Sequence, residues 1–163
     1  QQNDTKAALD YIGASQQALD ATEVEHYCSD PALDAILSSY FRQAKEQGIR
    51  LETHIALPAE LPVPTVELST VFANALENMI HAVRELPAED RCMVCKCISS
   101  PCLMMEFSNP CGKDVRLGSD GLPIPQSTGH GIGTRSIAAF AEKYQAVCSF
   151  QIEDGWFKLF LAL

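Results

Sequence analysis

Basic residues are scarce in this chain: twelve Lys and Arg stand against 21 Asp and Glu, for a net charge of −9. So acidic a chain is a poor fit to a nucleic-acid backbone or an anionic membrane, because its summed field repels both. A phosphorylated ligand would have to be held by backbone amides, a metal ion or a few local cations. Long apolar runs are also absent. None approaches the ~20 residues that cross a bilayer, and no signal peptide opens the chain. There are no internal repeats, no low-complexity tracts and no G-x-x-x-x-G-K-[ST] phosphate loop, so a P-loop fold is excluded. What is present is 163 residues, 47% of them hydrophobic. That makes one globular domain with room for an appendage, able to bury roughly two-thirds of its surface. The first residue is Gln, so a piece of a longer parent is expected.

Cysteine is the exception to this sparseness. Seven are present, and Cys92, Cys95, Cys97 and Cys102 crowd into one stretch that looks like metal spacing. Local pattern argues otherwise. Arg91–Ile98, Ser99-Ser100-Pro101 and Cys102–Ser108 read as two strands around a turn. Cys95 and Cys97 alternate with Lys96 as strand positions do, and a free thiol is a common small buried hydrophobe. The cysteines read as reduced and structural, as in a cytosolic protein.

Residues 1 to about 27 are polar and Ala-rich with sparse apolar points, and are expected to form a helix. Ser29-Asp30-Pro31 is a helix start, with a capping side chain before an early proline. Leu33, Ile36, Leu37, Tyr40, Phe41 and Ala44 then recur at helical spacing until Gly48. Ile49–Leu57 alternates like a strand. From Thr65 to Leu86 runs the longest helical pattern, with Leu68, Val71, Phe72, Ala75, Leu76, Met79 and Val83 as its buried stripe. Residues 110–131, rich in Gly and Pro, read as a long functional loop. A helix from Thr134 to Tyr144 and a hairpin turning on Asp154-Gly155 close the chain. The order predicts an α+β sandwich, with helices on one face of a mixed sheet.

Two constellations carry possible chemistry. Asn74, Asn78 and His81 share one edge of the long helix, flanking its apolar stripe. Half-buried amides need partners, since an unsatisfied polar group there costs about 1–3 kcal/mol. The edge serves either a neighbouring strand or a ligand, and the helix alone does not choose. The second is Gly129-His130-Gly131-Ile132-Gly133, followed by Thr134 at the start of the last long helix. Its glycines permit close backbone approach and positive φ, and the helix N-terminus suits phosphate.

Together these residues resemble the GHKL (Bergerat-fold) ATP-binding domain of sensor histidine kinases. Asn74–Asn78 is similar to that family's N box, and Gly129–Gly133 to the glycine box that closes its ATP lid. The likeness runs from about Asp30 to Leu163. It implies two units: residues 1–28 as a helix from the end of a dimerisation and phosphotransfer region, and 29–163 as the catalytic domain. A lid ending in Gly-His-Gly-Ile-Gly looks like the peptide-pheromone (quorum-sensing) receptor subgroup. One departure stands out. Where most relatives carry Asp-x-Gly-x-Gly for adenine, this strand ends Phe107-Ser108-Asn109-Pro110-Cys111-Gly112. Asn109 would take the Asp's place and pair with the adenine edge through its amide.

The resemblance implies ATP and Mg²⁺, with Asn78 as the metal ligand and Asn74 where hydrolytic relatives keep a Glu base. An amide cannot take a proton from water, which favours transfer over hydrolysis. His81, Gly129, His130, Gly131, Ile132, Gly133 and Thr134 would line the nucleotide, with Asn74, Asn78 and Asn109, and Lys113, Arg116 or Arg135 would supply lid cations. None of the four histidines, His26, His54, His81 and His130, sits where a phosphoacceptor should. The implied partners are therefore an upstream His-bearing domain of the same protein and a response regulator, with no nucleic acid. The piece itself would not touch the membrane, and its parent would be a cytoplasm-facing, membrane-anchored homodimer. Two alternatives stand beside this reading: an anti-sigma-factor-like serine kinase, and a degenerate, nucleotide-insensitive adaptor that binds a partner protein.

Overall fold

The computed structural model describes residues 25–124 and 131–163. Three helices, α1 (Pro31–Glu46), α2 (Thr65–Arg84) and α3 (Ile132–Tyr144), accompany five strands: β1 (Arg50–Ile55), β2 (Cys92–Ile98), β3 (Met104–Pro110), β4 (Val147–Glu153) and β5 (Trp156–Ala162). The strands form one mixed sheet in the order β1-β2-β3-β5-β4. β1 lies parallel to β2 and all other pairs are antiparallel. The expected α+β sandwich is what forms, with α2 central in the helical layer.

Local chemistry explains most boundaries. Asp30 caps α1 by accepting from the Ala32 and Leu33 N–H groups, and Pro31 occupies the first turn. Gly48, at φ +69°, ends the helix in the left-handed region. Asp154 and Gly155, at φ +51° and +78°, make the tight turn between β4 and β5.

The core lies between the helices and the sheet. Phe72 of α2 meets Phe107 of β3 edge to face, with centroids 5.4 Å apart. All seven residues expected on the α2 stripe are buried, and Ser69 and Ile80 join them. Each fully buried large apolar side chain contributes about 1.5–3 kcal/mol, so packing rather than helix propensity holds α2 in place.

Three expectations need amendment. Glu25–Cys28, the described end of the expected first helix, is not helical, and residues 1–24 lie outside the described residues. The expected loop begins later, because β3 runs through Pro110. Part of that loop is a small turn, closed by a Leu117–Pro123 bridge and by Gly118 N–H donating to Leu122 O, with Leu117 and Leu122 against the core. A short 3-10 turn at Ala88–Asp90 was not foreseen. The crowded cysteines do sit on a hairpin. Cys95 and Cys97 are buried next to each other on the helix side and Cys92 alternates to the other face, so the hairpin splits the cluster. Among the described residues no helix is long and apolar enough to cross a membrane.

Candidate functional site

The apolar stripe of α2 faces the core, which leaves Asn74 and Asn78 half-buried at its edge and His81 exposed one turn on. What faces the two amides is the first turn of α3. A Cβ placed on Gly133 would lie 3.1 Å from Asn78 Nδ2, 3.3 Å from Asn78 Oδ1 and 3.4 Å from Asn74 Oδ1. Gly133 thus lets the backbone of α3 come down onto both amides, where any side chain would crowd them. The two constellations, far apart in the chain, form one surface.

A clasp joins the other end of the helix pair. Lys143 Nζ reaches Glu67 Oε1 and Oε2 at 2.7 and 2.9 Å, and the Tyr144 hydroxyl donates to Glu67 Oε1 at 2.8 Å. The Lys143 ammonium and the Tyr144 hydroxyl hold the Glu67 carboxyl below its ordinary range. Asn78 lies eleven residues after Glu67, and Gly133 eleven before Tyr144. Equal lengths of antiparallel helix, about 16 Å at 1.5 Å per residue, therefore join clasp to site. Sequence reading missed the clasp. The only signal was one acidic residue in the first turn of α2 and one basic residue in the last turn of α3.

The start of α3 is built for close approach. Gly131 occupies the cap position at φ +102°, a conformation that favours glycine, and no side chain caps the helix. Thr134 Oγ1 donates to the Gly131 carbonyl at 3.1 Å, and the Arg135 N–H donates to the same oxygen at 3.2 Å. Thr134 is buried, so its hydroxyl shapes the turn, while Ile132 is 75% exposed at the mouth. The first N–H groups of any helix lack intrahelical partners, and here they carry the positive end of the dipole. Gly129 and His130 lie outside the described residues.

Asn109 is 1% exposed, on the helix side of β3 two residues beyond Phe107. Its Nδ2 donates to the carbonyl of Pro110 at 2.8 Å. That bond fixes which end of the amide is which, because a carbonyl accepts only from the NH₂ end. Burial pushes the neighbouring Cys111 thiol up from its ordinary range. Lys113, Arg116 and Arg135 are exposed. The arrangement offers two amides, a helix N-terminus with glycine at its cap and second position, and a buried amide bonded to its own strand end. Such a set suits a polyphosphate with its metal at one end and a flat, hydrogen-bonding base at the other.

A family model described as a GHKL domain matches residues 63–163. No curated protein matches the sequence. Among solved structures, the catalytic domain of the histidine kinase ThkA superposes with a TM-score of 0.60 at 12% identity, over 81% of this chain and 90% of that one. The mycobacterial sensor histidine kinase MprB gives 0.58 at 11% identity, over 81% and 92%. The cytoplasmic segment of the histidine kinase QseC gives 0.50 at 11%, over 98% and 92%. At such identities the likeness shows the fold, a mixed sheet with its helical layer as in histidine kinase catalytic domains.

Proposed function

The chain belongs to the GHKL family, and on that premise we propose that it is the ATP-binding catalytic domain of a two-component sensor histidine kinase. It would pass the γ-phosphoryl of ATP to a histidine on an upstream domain. The observation that carries this reading is the seating of Gly133 on Asn74 and Asn78, because it brings phosphate-binding backbone and metal-binding amides to one place.

The residues fit their roles. Asn78 offers an amide oxygen, a hard donor of the kind Mg²⁺ takes once or twice alongside water and phosphate. When bound, the ion neutralises phosphate charge, which a protein of net charge −9 otherwise repels. The N–H groups at the start of α3 cradle the phosphates, and Gly131 and Gly133 keep side chains out of their way. Asn109, with one N–H of Nδ2 bonded to Pro110, would offer Oδ1 as an acceptor for the exocyclic amine of adenine. In the reaction an imidazole nitrogen of the acceptor histidine attacks the γ-phosphorus. The bond to the β–γ bridging oxygen breaks, and ADP leaves with that electron pair. The attacking nitrogen is the one that carries the lone pair in the neutral imidazole, and the phosphorylated ring then releases the proton of its other nitrogen to water. Asn74 cannot deprotonate water, so hydrolysis is left without a base.

On the same reading the partners are the upstream histidine domain and a response regulator. The parent is a homodimer, and the domain works on the cytoplasmic side. Asn109-Pro110 and the Gly-His-Gly-Ile-Gly lid end support the peptide-pheromone receptor subgroup, and Asn74 disfavours a serine kinase of the anti-sigma type. Calorimetric titration with Mg-ATP tests the proposal. The wild type should release heat, and Asn78→Ala should not, while keeping a native circular dichroism spectrum. No heat from the wild type, with no competition by ADP, would favour the protein-binding adaptor instead.

A further inference from the structure

Before α1 begins, Glu25–Cys28 do not lead straight into the helix but run back along one side of it. One stripe of α1, at Asp34, Ser38, Phe41 and Lys45, holds them. Asp34 does the most. Its Oδ1 accepts the Tyr27 N–H at 2.6 Å and the Cys28 N–H at 3.3 Å, and its Oδ2 lies 2.7 Å from His26 Nδ1. The Tyr27 ring meets Phe41 edge on, with centroids 4.8 Å apart. Ser38 Oγ donates to the Glu25 carbonyl at 3.0 Å, and Lys45 Nζ reaches the Glu25 carboxylate at 2.6 Å. The spacing i, i+4, i+7, i+11 is that of a single helical face, so the contacts form a track rather than a scatter.

The track is tied to the catalytic layer. Asp30 Oδ2 accepts from Thr65 Oγ1 at 2.9 Å, which joins the start of α1 to the start of α2, the helix that carries Asn74 and Asn78. Asp34 N–H in turn donates to the Asp30 carbonyl. A free tether needs none of this. Asp34 is only 9% exposed, and a carboxylate that buried must have its oxygens satisfied. Here two backbone N–H groups and an imidazole satisfy them.

We propose that Glu25–Ser29 form a docked seam, with Asp34 as its keystone, which fixes the direction in which the preceding chain approaches the catalytic domain. Asp34 is then a positioning residue for phosphoryl transfer. It touches neither nucleotide nor acceptor, and acts by holding the chain between them. This last step rests on the kinase reading above; the seam itself does not.

The test uses the chain joined to its own upstream histidine-bearing region, as wild type, Asp34→Ala, Asp34→Asn and Ser38→Ala. Hydrogen exchange at the Tyr27 and Cys28 amides should accelerate at least tenfold in Asp34→Ala while α2 and the sheet keep their rates. Ser38→Ala, a milder surface change, should accelerate exchange in the same segment less. Mg-ATP affinity should stay within twofold in all variants. Transfer to the attached histidine should fall at least fivefold in Asp34→Ala. Transfer to the same histidine domain supplied as a separate chain should match wild type, because the seam then no longer connects donor to acceptor. Unchanged exchange at 27 and 28 in every variant would overturn the seam. Faster exchange with unaltered transfer to the attached histidine, or an equal loss with the separate acceptor, would overturn the positioning role. A wild type that transfers to neither acceptor refutes the kinase reading, and the exchange data still decide the seam.

Discussion

Replacing Gly133 with alanine should separate stability from binding. Gly133 lies in the first turn of α3 at a negative φ, so alanine suits the backbone there, and in a helix it is favoured by up to about 1 kcal/mol. The new Cβ would stand 3.1 and 3.3 Å from the two polar atoms of the Asn78 amide and 3.4 Å from Asn74 Oδ1. Ordinary contact between such atoms is about 3.5 Å or more, so the Asn78 amide must retreat by a few tenths of an ångström. Its amide is the flexible end of a half-buried side chain, so the retreat is cheap for the fold. Gain and crowding should nearly offset, leaving the urea-unfolding free energy within about 0.5 kcal/mol of wild type. Binding should not be so tolerant. Mg²⁺ demands near-octahedral geometry at about 2.0–2.1 Å, and the displaced oxygen no longer meets it. Mg-ATP affinity, read by calorimetry or a fluorescent nucleotide, should fall tenfold or more, about 1.4 kcal/mol. The loss should shrink when the metal is chelated. Unchanged affinity in Gly133→Ala would refute the idea that Gly133 and Asn78 share the metal–phosphate site. A stability loss above about 2 kcal/mol would show that the crowding falls on backbone instead.

Asn109→Asp should weaken nucleotide binding and destabilise the fold by about 1–3 kcal/mol. It sets a carboxylate oxygen against the Pro110 carbonyl, now 2.8 Å from the amide nitrogen, and urea titration with fluorescent-nucleotide binding checks both. Acid should loosen the protein in a defined window. Backbone N–H bonds hold the Asp34 carboxyl below its ordinary range, and the clasp with Lys143 does the same for Glu67. A lowered folded-state pKa gives stability that is present above the unfolded value, about 4, and is lost as pH falls through the folded value. The urea midpoint should therefore hold steady from neutral pH to about 5 and drop below 4, with a shallower drop in Asp34→Asn. Incubated alone with radiolabelled ATP, the chain should stay unlabelled and turn over little ATP; stable label on His26 would mean that the acceptor lies within it.

Local pattern along the chain is enough to place the elements and the residues of interest. Periods of 3.6 and 2 residues, the Asp30 cap, Gly48 and the Asp154-Gly155 turn are short-range features, so α1, α2, α3 and the closing hairpin were legible almost to their ends. The edge of α2 that carries Asn74 and Asn78 was legible for the same reason. Its occupant was not. Only packing decides that the first turn of α3 descends onto those amides, and only packing brings Glu67 to Lys143 and Tyr144 at the far end. Packing also inserts β5 between β3 and β4, and it extends β3 through Pro110, whose carbonyl takes the Asn109 amide. Glu25–Cys28 shows the limit most plainly. Composition there favours a helix, yet a buried carboxylate eight positions after His26 holds the segment as a strap. Backbone propensity is worth a few tenths of a kcal/mol per residue, and hydrogen bonds to a charged group about 1.5–3 each, so the tertiary contact wins.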